Sequence, residues 1–162
     1  MDKAVVAQEE ALSRFARMYS ADPPADPGPG AEAITVLIAD DDTGFRKTLR
    51  KVMETKRGFE VSEARDGEEA VQLTRLVHPD LVLMDLSMPR IDGLEAMRMI
   101  RAEMPGVCII ACSVHDESVY RRAATLHGAN AFVTKSRCYA ELDWVENVTK
   151  EARSCTRKMT EC

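Results

Sequence analysis

The feature that most constrains the fold of this chain is a regular alternation of short apolar stretches with segments of helical periodicity. From residue 34 onwards, five β-rich stretches are separated by segments in which apolar residues recur every three or four positions. The stretches are Ile34–Ala39, Phe59–Ala64, Leu81–Met84, Val107–Cys112 and Ala131–Thr134. Strands that alternate with helices favour a parallel sheet with helices on both faces. The sequence therefore predicts a doubly wound α/β domain of five βα units.

Composition changes where this pattern begins. Residues 22–30 hold four prolines and two glycines, a density that no packed helix or central strand tolerates. We interpret residues 1–30 as a flexible or helical arm with a Pro/Gly linker, 31–150 as the α/β domain, and 151–162 as an extension of the last helix. Apolar residues continue at alternating spacings of three and four to the end of the chain, which favours a frayed amphipathic tail and leaves a homodimer seam as the alternative.

Composition also limits the classes of function. The 22 basic and 27 acidic residues give a net charge of −5, whereas a mainly electrostatic nucleic-acid binder carries a basic excess. The N-terminus has no apolar signal core, and the longest apolar stretch is far shorter than the ~18 residues that span a bilayer. Five cysteines, at positions 108, 112, 138, 155 and 162, show neither CxxC nor zinc spacing, so we expect reduced thiols. We predict a cytoplasmic protein without nucleic-acid or membrane partners.

Polar residues follow four of the predicted strands directly. Asp40 and Asp41 follow the first strand, Asp85 the third, Ser113 the fourth and Lys135 the fifth. The carboxyl ends of parallel strands meet at one rim, where sites in such folds lie. Carboxylates packed together repel one another unless a cation sits among them, and hard oxygen ligands suit Mg²⁺. A lysine and a hydroxyl add donors for phosphoryl oxygens, so the set predicts Mg²⁺-dependent phosphoryl transfer onto a carboxylate.

These motifs closely resemble the receiver domain of two-component response regulators. The resemblance covers about residues 33–150, and its most specific part is the segment from Asp85 to Gly93, which reads Asp-Leu-Ser-Met-Pro-Arg-Ile-Asp-Gly after a buried strand. It implies a flavodoxin-like (βα)5 fold with strand order 2-1-3-4-5. It is nearest to receivers of the helix-turn-helix transcription-factor branch. Only 27 residues follow Lys135, so we expect no DNA-binding domain in this chain.

The resemblance implies a role for each acidic residue. Asp85 matches the phosphoacceptor, which takes a phosphoryl group from the phosphohistidine of a histidine kinase or a histidine phosphotransfer protein. Asp40, Asp41 and Asp85 match the Mg²⁺ ligands, together with the backbone carbonyl of Ser87. Such a protein is not a conventional enzyme, because it catalyses only its own phosphorylation and autodephosphorylation.

The remaining site residues match positions that hold the phosphoryl group or respond to it. Lys135 and Ser113 would contact the phosphoryl oxygens, and Ser113 and Phe132 would form the switch. Phe132 lacks the hydroxyl that many receivers carry as tyrosine, so its switching would work by packing alone. Ser87 and His115 flank the path of the hydrolytic water in the family and would tune phosphate lifetime. An unidentified output partner is expected at the face of the fourth helix, fifth strand and fifth helix.

Two other functions use similar residues. A haloacid-dehalogenase-like phosphohydrolase carries Asp-x-Asp-x-Thr/Val after its first strand, but Asp40-Asp41-Asp42-Thr43-Gly44 has glycine at the last position and leaves Asp85 unexplained. We interpret Asp42 instead as the N-cap of the first helix. A degenerate receiver that binds partners without phosphorylation is the second alternative, and the intact set of site residues argues against it. The family's cis peptide bond after the lysine stays an open question for residues 135 and 136.

Overall fold

The computed structural model of the protein describes residues 33–55 and 58–138. Five strands and five helices alternate along these residues. The strands are β1 (Ile34–Ala39), β2 (Phe59–Ala64), β3 (Leu81–Asp85), β4 (Cys108–Ser113) and β5 (Ala131–Thr134). The helices are α1 (Thr43–Thr55), α2 (Gly67–Val77), α3 (Gly93–Glu103), α4 (Ser118–Leu126) and α5 (Lys135–Cys138).

All four neighbouring strand pairs are parallel, and the order across the sheet is β2-β1-β3-β4-β5. This confirms the predicted doubly wound fold and its strand order. The connections reverse direction between β1 and β3, and ligands of open α/β sheets bind at such a switch point, outside the carboxyl ends of the strands. Asp40 immediately follows β1 and Asp85 ends β3, so the two acids lie on either side of it.

The sheet separates two hydrophobic clusters because neighbouring strand residues point to opposite faces. In β1, for example, Leu37 and Ala39 join one cluster, and Val36 and Ile38 join the other. Helices α2, α3 and α4 pack on the first face. Helices α1 and α5 pack on the second, through residues such as Leu49 and Cys138. Nearly every residue of β1, β3 and β4 is buried, as expected for strands covered on both sides.

Aspartates begin three of the helices. Asp42 accepts hydrogen bonds from the backbone N–H groups of Gly44 and Phe45, which confirms its predicted capping role at α1. Asp66 caps α2 and Asp92 caps α3 in the same way. These caps fix where each helix leaves the rim of the sheet.

Some boundaries differ from those predicted. The sequence pattern places the last helix near Tyr139, but α5 already begins at Lys135, directly after β5. Strand β4 lies one residue later than predicted and includes Ser113. No cis peptide bond occurs in the described part of the chain, so the bond between Lys135 and Ser136 is trans. The predicted N-terminal arm, the C-terminal extension and the dimer seam all lie outside the described residues.

Candidate functional site

The site is built on three carboxylates at the switch point of the sheet. One ligand oxygen from each of Asp40, Asp41 and Asp85 lies within 4.8 Å of the others. Asp40 and Asp85 are buried, whereas Asp41 is exposed. The backbone N–H of Asp42 donates a 2.8 Å hydrogen bond to Oδ1 of Asp40. Two carboxylates of the cluster, those of Asp40 and Asp85, are therefore buried, and the third, that of Asp41, faces solvent.

Lys135 brings a positive charge to this cluster from the end of β5. Its Nζ lies 2.6 Å from Oδ2 of Asp40 and 3.3 Å from Oδ2 of Asp85. The same Nζ lies 4.8 Å from the centre of the Phe45 ring, within the range of a cation–π contact. Lys135 directly follows β5, which β4 separates from β3 and Asp85, so its side chain reaches across the end of β4 to the carboxylates.

The burial of these charges shifts their pKa values. Burial, reinforced by the charge of Asp40, raises the pKa of Asp85 to about 6. Burial also raises the pKa of Asp40, against the opposing hydrogen bond from Lys135. Burial works against the charged form of Lys135, but its hydrogen bond to Asp40 and the charges of Asp85 and Asp40 outweigh it and raise the pKa of this lysine. The site therefore holds more negative charge than its single lysine neutralises.

The donor set fits Mg²⁺. All the side-chain ligand atoms are carboxylate oxygens, which Mg²⁺ prefers, and the exposed Asp41 leaves one side of the cluster open for the waters that Mg²⁺ retains. Apart from its ion pair with Lys135, Oδ2 of Asp40 has no hydrogen-bond partner in the described part of the chain. A cation beside this buried oxygen would relieve the repulsion between Asp40 and Asp85.

Ser113 lies at the same edge of the sheet, at the end of β4. It is buried, and its Oγ accepts a 3.0 Å hydrogen bond from the backbone N–H of His115. The ring of His115 stacks on Tyr120 of α4, with 5.1 Å between ring centroids. The hydroxyl of Ser113 thus anchors the loop that leads into α4.

Phe132 is buried in the interior of β5 with its ring covered by α4. The guanidinium of Arg121 lies 4.8 Å from the ring centroid. Asp116, in the loop before α4, pairs with this guanidinium. The ring is only 2% exposed, so Phe132 points into the core in this structure. It contributes to packing near the site, but the structure does not bring it to the carboxylates.

Ser87 lies two residues after Asp85, exposed in the loop between β3 and α3. Its backbone N–H interacts with the Asp85 carboxylate and partly offsets the raised pKa of that group. Gly93 closes the same loop: a Cβ atom there would lie 1.9 Å from the carbonyl oxygen of Asp85. Only glycine allows α3 to start this close to the end of β3.

Two contacts of the site could not be read from the sequence pattern. Phe45 lies beside the Lys135 ammonium, and Arg46 donates a 2.7 Å hydrogen bond to the backbone carbonyl of Asp40. Both belong to the first turn of α1. The sequence indicates these contacts only by position: Phe45 and Arg46 lie one helical turn after Asp41. Residues in the first turn of a helix that follows a strand lie close to the end of that strand.

Comparison with known proteins agrees with the geometry. The family model described as the response regulator receiver domain matches residues 36–143. The transcriptional regulatory protein DegU of Brevibacillus brevis is 34% identical over 103 residues, which cover 63% of this chain and 44% of DegU. A protein-glutamate methylesterase/protein-glutamine glutaminase of Nitratidesulfovibrio vulgaris is 37% identical over 122 residues, which cover 73% of this chain and 33% of that protein. The chain thus matches less than half the length of these curated relatives.

Solved structures are also similar. A two-component response regulator of the LuxR family from Aurantimonas sp. SI85-9A1 matches with a TM-score of 0.69 and 34% identity, covering 74% of this chain and 87% of that chain. The response regulator domain of CheB from Thermotoga maritima matches with a TM-score of 0.61 and 28% identity, covering 81% and 98%. The family match, the fold and the relatives agree, and the chain belongs to the response regulator receiver domain family.

Proposed function

We propose that the protein is a phosphoacceptor that receives a phosphoryl group from a phosphohistidine onto Asp85, in a Mg²⁺-dependent reaction. The observation that carries this proposal is the single ammonium of Lys135 between the buried carboxylates of Asp40 and Asp85. An acceptor carboxylate needs a neighbouring cation that can pair with the incoming phosphoryl oxygens, and this lysine lies within reach of them. Residues 31–150 form the receiver in this proposal.

Asp40, Asp41 and Asp85 would hold Mg²⁺ together with the backbone carbonyl of Ser87. When bound, Mg²⁺ supplies charge that neutralises the phosphoryl oxygens and the carboxylates. We infer Asp85 as the nucleophile because it matches the acceptor position of the family, and its carboxylate lies 3.3 Å from Nζ of Lys135. Asp85 must be ionised to attack, and without Mg²⁺ its raised pKa of about 6 leaves part of the carboxyl protonated near that pH.

The remaining residues would read out the phosphorylated state. Ser113 would donate its O–H to a phosphoryl oxygen. Because its Oγ accepts from the backbone N–H of His115, this bond would draw the loop before α4 inward. The inward Phe132 would adjust its packing to this loop. Ser87 and His115 are both solvent-exposed beside the site, which supports a role in setting how fast water removes the phosphoryl group.

Two kinds of partner are inferred: a phosphoryl donor from the family, and an output partner from the exposed apolar side chains of α4. Response regulator receivers interact with histidine kinases, and we infer a histidine kinase or a histidine phosphotransfer protein as the phosphoryl donor. The output partner is proposed to bind the face of α4, β5 and α5. Val119 and Leu126 of α4 are 65% and 74% exposed, and exposed large apolar side chains on one short helix support a binding role. In the described residues, no helix is long and apolar enough to span a membrane.

The phosphohydrolase alternative finds less support. It needs the second aspartate of its motif, here Asp42, to act as a proton donor and acceptor. Asp42 instead caps α1, and these hydrogen bonds from backbone N–H groups lower the pKa of its carboxyl. A carboxyl held ionised in this way is a poor general acid.

The proposed function is tested by incubating the protein with acetyl phosphate, with and without Mg²⁺, and weighing it by intact mass spectrometry. We expect a gain of one phosphoryl group that requires Mg²⁺ and is absent in Asp85→Asn. Asp116→Asn is the matched control, because Asp116 is an exposed aspartate outside the carboxylate cluster, and it should be phosphorylated like the parent. A wild-type protein that stays unmodified with Mg²⁺ present, or an Asp85→Asn variant that gains the same mass, would contradict the acceptor role.

A further inference from the structure

Two cysteine thiols lie in direct contact beneath the site. Sγ of Cys138 lies 3.5 Å from Sγ of Cys112. Cys112 is the fifth residue of β4, and Cys138 is the last described residue of α5. Both belong to the same hydrophobic cluster, on the face of the sheet covered by α1 and α5. The proposed function uses neither thiol.

We propose that Cys112 and Cys138 form an intrachain disulfide under peroxide oxidation, and that this bond is a reversible clamp between β4 and α5. The two sulfurs already touch, so the bond forms by a movement of about 1.5 Å, which side-chain rotation and a small helix shift can share. The other buried cysteine of the described residues, Cys108, lies four positions before Cys112 on the same strand, a span of about 13 Å that no disulfide bridges. Among the described cysteines, direct contact therefore favours the pair of Cys112 and Cys138.

The chemical step begins at Cys138 and balances without any further reagent. The Cys138 thiol reacts with hydrogen peroxide to give a sulfenic acid and water. The Cys112 thiol then displaces this hydroxyl, which forms the S–S bond and releases a second water. The two thiols together lose two electrons and two protons, and the peroxide is reduced to two waters.

Burial supports this order of events. Cys138 is 7% exposed and Cys112 only 1%, so the oxidant reaches Cys138 first. The hydrogen bond with Cys138 and burial both raise the pKa of Cys112 well above its usual range. This raised pKa opposes the attack, because the thiolate is the nucleophile in disulfide formation. The 3.5 Å contact between the two sulfurs is therefore what selects Cys112 as the partner.

The clamp would join two elements that carry donors of the candidate site. Ser113 directly follows Cys112, and Lys135 lies in the same helical turn as Cys138. A covalent link here would hold the beginning of α5 against the sheet. The formation of this bond does not depend on the proposed phosphoacceptor function, so a protein that fails to accept a phosphoryl group would still test it.

The test uses the full chain and peptide mapping. Cys108 and Cys112 share the tryptic peptide 102–121, so Cys108→Ala is the parent in which a linked peptide identifies Cys112 without ambiguity. After treatment of the folded protein with hydrogen peroxide and alkylation of the remaining thiols, we expect peptide 102–121 linked to peptide 138–150. The link should disappear with dithiothreitol and should not form after Cys112→Ala or Cys138→Ala.

Thermal unfolding gives a second readout. Because a cross-link restricts the unfolded chain, the oxidised Cys108→Ala protein should melt at least about 5 °C higher than its reduced form. Neither Cys112→Ala nor Cys138→Ala should show this difference. The proposal is overturned if Cys112 and Cys138 are both alkylated after a peroxide exposure that has consumed Cys155 and Cys162. A link that forms in urea but not in the folded protein also overturns it.

Discussion

The carboxyl of Asp85 is buried where its ionised form, which the proposed phosphorylation requires, lowers the stability of the fold. Its carboxyl is buried beside Asp40, and its pKa is raised to about 6, compared with about 3.9 in an unfolded chain. A raised pKa means that the protonated form stabilises the fold. That contribution is complete below about pH 4 and is lost as the pH rises through the folded-state value. At neutral pH the ionised carboxylate of Asp85 therefore destabilises the metal-free fold.

The first prediction follows from this loss of stability as Asp85 ionises. In metal-free buffer with a chelator, Asp85→Asn should raise the free energy of unfolding at neutral pH by roughly 1–3 kcal/mol, because the amide is neutral at every pH. The difference from wild type should shrink below about pH 4. Urea unfolding across this pH range measures it. Asp41→Asn, which removes an exposed carboxylate of the same cluster, should gain less. Equal stability of Asp85→Asn and wild type at neutral pH would contradict the assigned cause.

A second prediction concerns Gly93. Gly93→Ala would place a Cβ 1.9 Å from the Asp85 carbonyl oxygen, so α3 or the end of β3 must move. We expect a loss of about 1–3 kcal/mol in the free energy of unfolding. Gly44→Ala is the matched control, because its Cβ would meet only a side-chain oxygen of Asp42 at 3.2 Å and alanine favours a helix by about 0.5–1 kcal/mol. Similar effects of the two substitutions would show that the close approach does not constrain the loop.

At the scale of elements, one side chain of α3 joins this helix to the loops that precede β4 and β5. The guanidinium of Arg101 donates to the backbone carbonyls of Gly128, Pro105 and Val107 and to Oδ1 of Asn130. Asn130 in turn accepts from the backbone N–H of Ile109 in β4. Burial lowers the pKa of Arg101, and these hydrogen bonds all go to neutral oxygens. Arg101 thus donates to carbonyls in the loop between α3 and β4 and in the loop between α4 and β5, at the amino ends of the strands.

The third prediction compares two arginines of this helix. Arg101→Met should lower the free energy of unfolding by about 1–3 kcal/mol, because it leaves partly buried carbonyls without their donor. Arg98→Met removes an exposed arginine that pairs with Glu95 within the helix, and should cost about 0.5 kcal/mol or less. Chemical denaturation of both variants measures the difference. An Arg101→Met variant as stable as Arg98→Met would show that water replaces the guanidinium without loss.

The same scale shows what the sequence could predict. Strands β1, β2 and β5 have the predicted bounds, because apolar residues end at an aspartate, a turn or a lysine there. The sequence predicts the start of α5 too late, because residues 134–139 contain no glycine or proline that marks the change from strand to helix. The contact of Arg121 with Phe132 and that of Cys112 with Cys138 depend on how helices rotate against the sheet. The ends of strands can be predicted from the local sequence pattern. The contacts of a helix depend on which of its faces packs against the sheet, and the local pattern does not determine this.

Across the sheet as a whole, the candidate site and a set of structural hydrogen bonds lie at opposite ends of the strands. The carboxyl edge collects the cluster of Asp40, Asp41 and Asp85 with Lys135, which supplies a local reason for part of the net charge of −5. The amino edge carries structural bonds, such as those from Thr35 to the carboxylate of Asp80. Substitutions at the amino edge should therefore change folding and leave phosphorylation intact, whereas substitutions at the carboxyl edge, such as Asp85→Asn, should change both.

The central claim is that Asp85 accepts the phosphoryl group, and chemical trapping tests it most directly. Borohydride reduces an aspartyl phosphate to homoserine, which marks the acceptor permanently. After phosphorylation with acetyl phosphate and Mg²⁺, reduction and trypsin digestion, we predict homoserine at position 85 of peptide 76–90, with Asp80 of that peptide unchanged. Homoserine at position 40 or 41 instead, or its absence from a protein that has gained the mass of a phosphoryl group, would contradict the account.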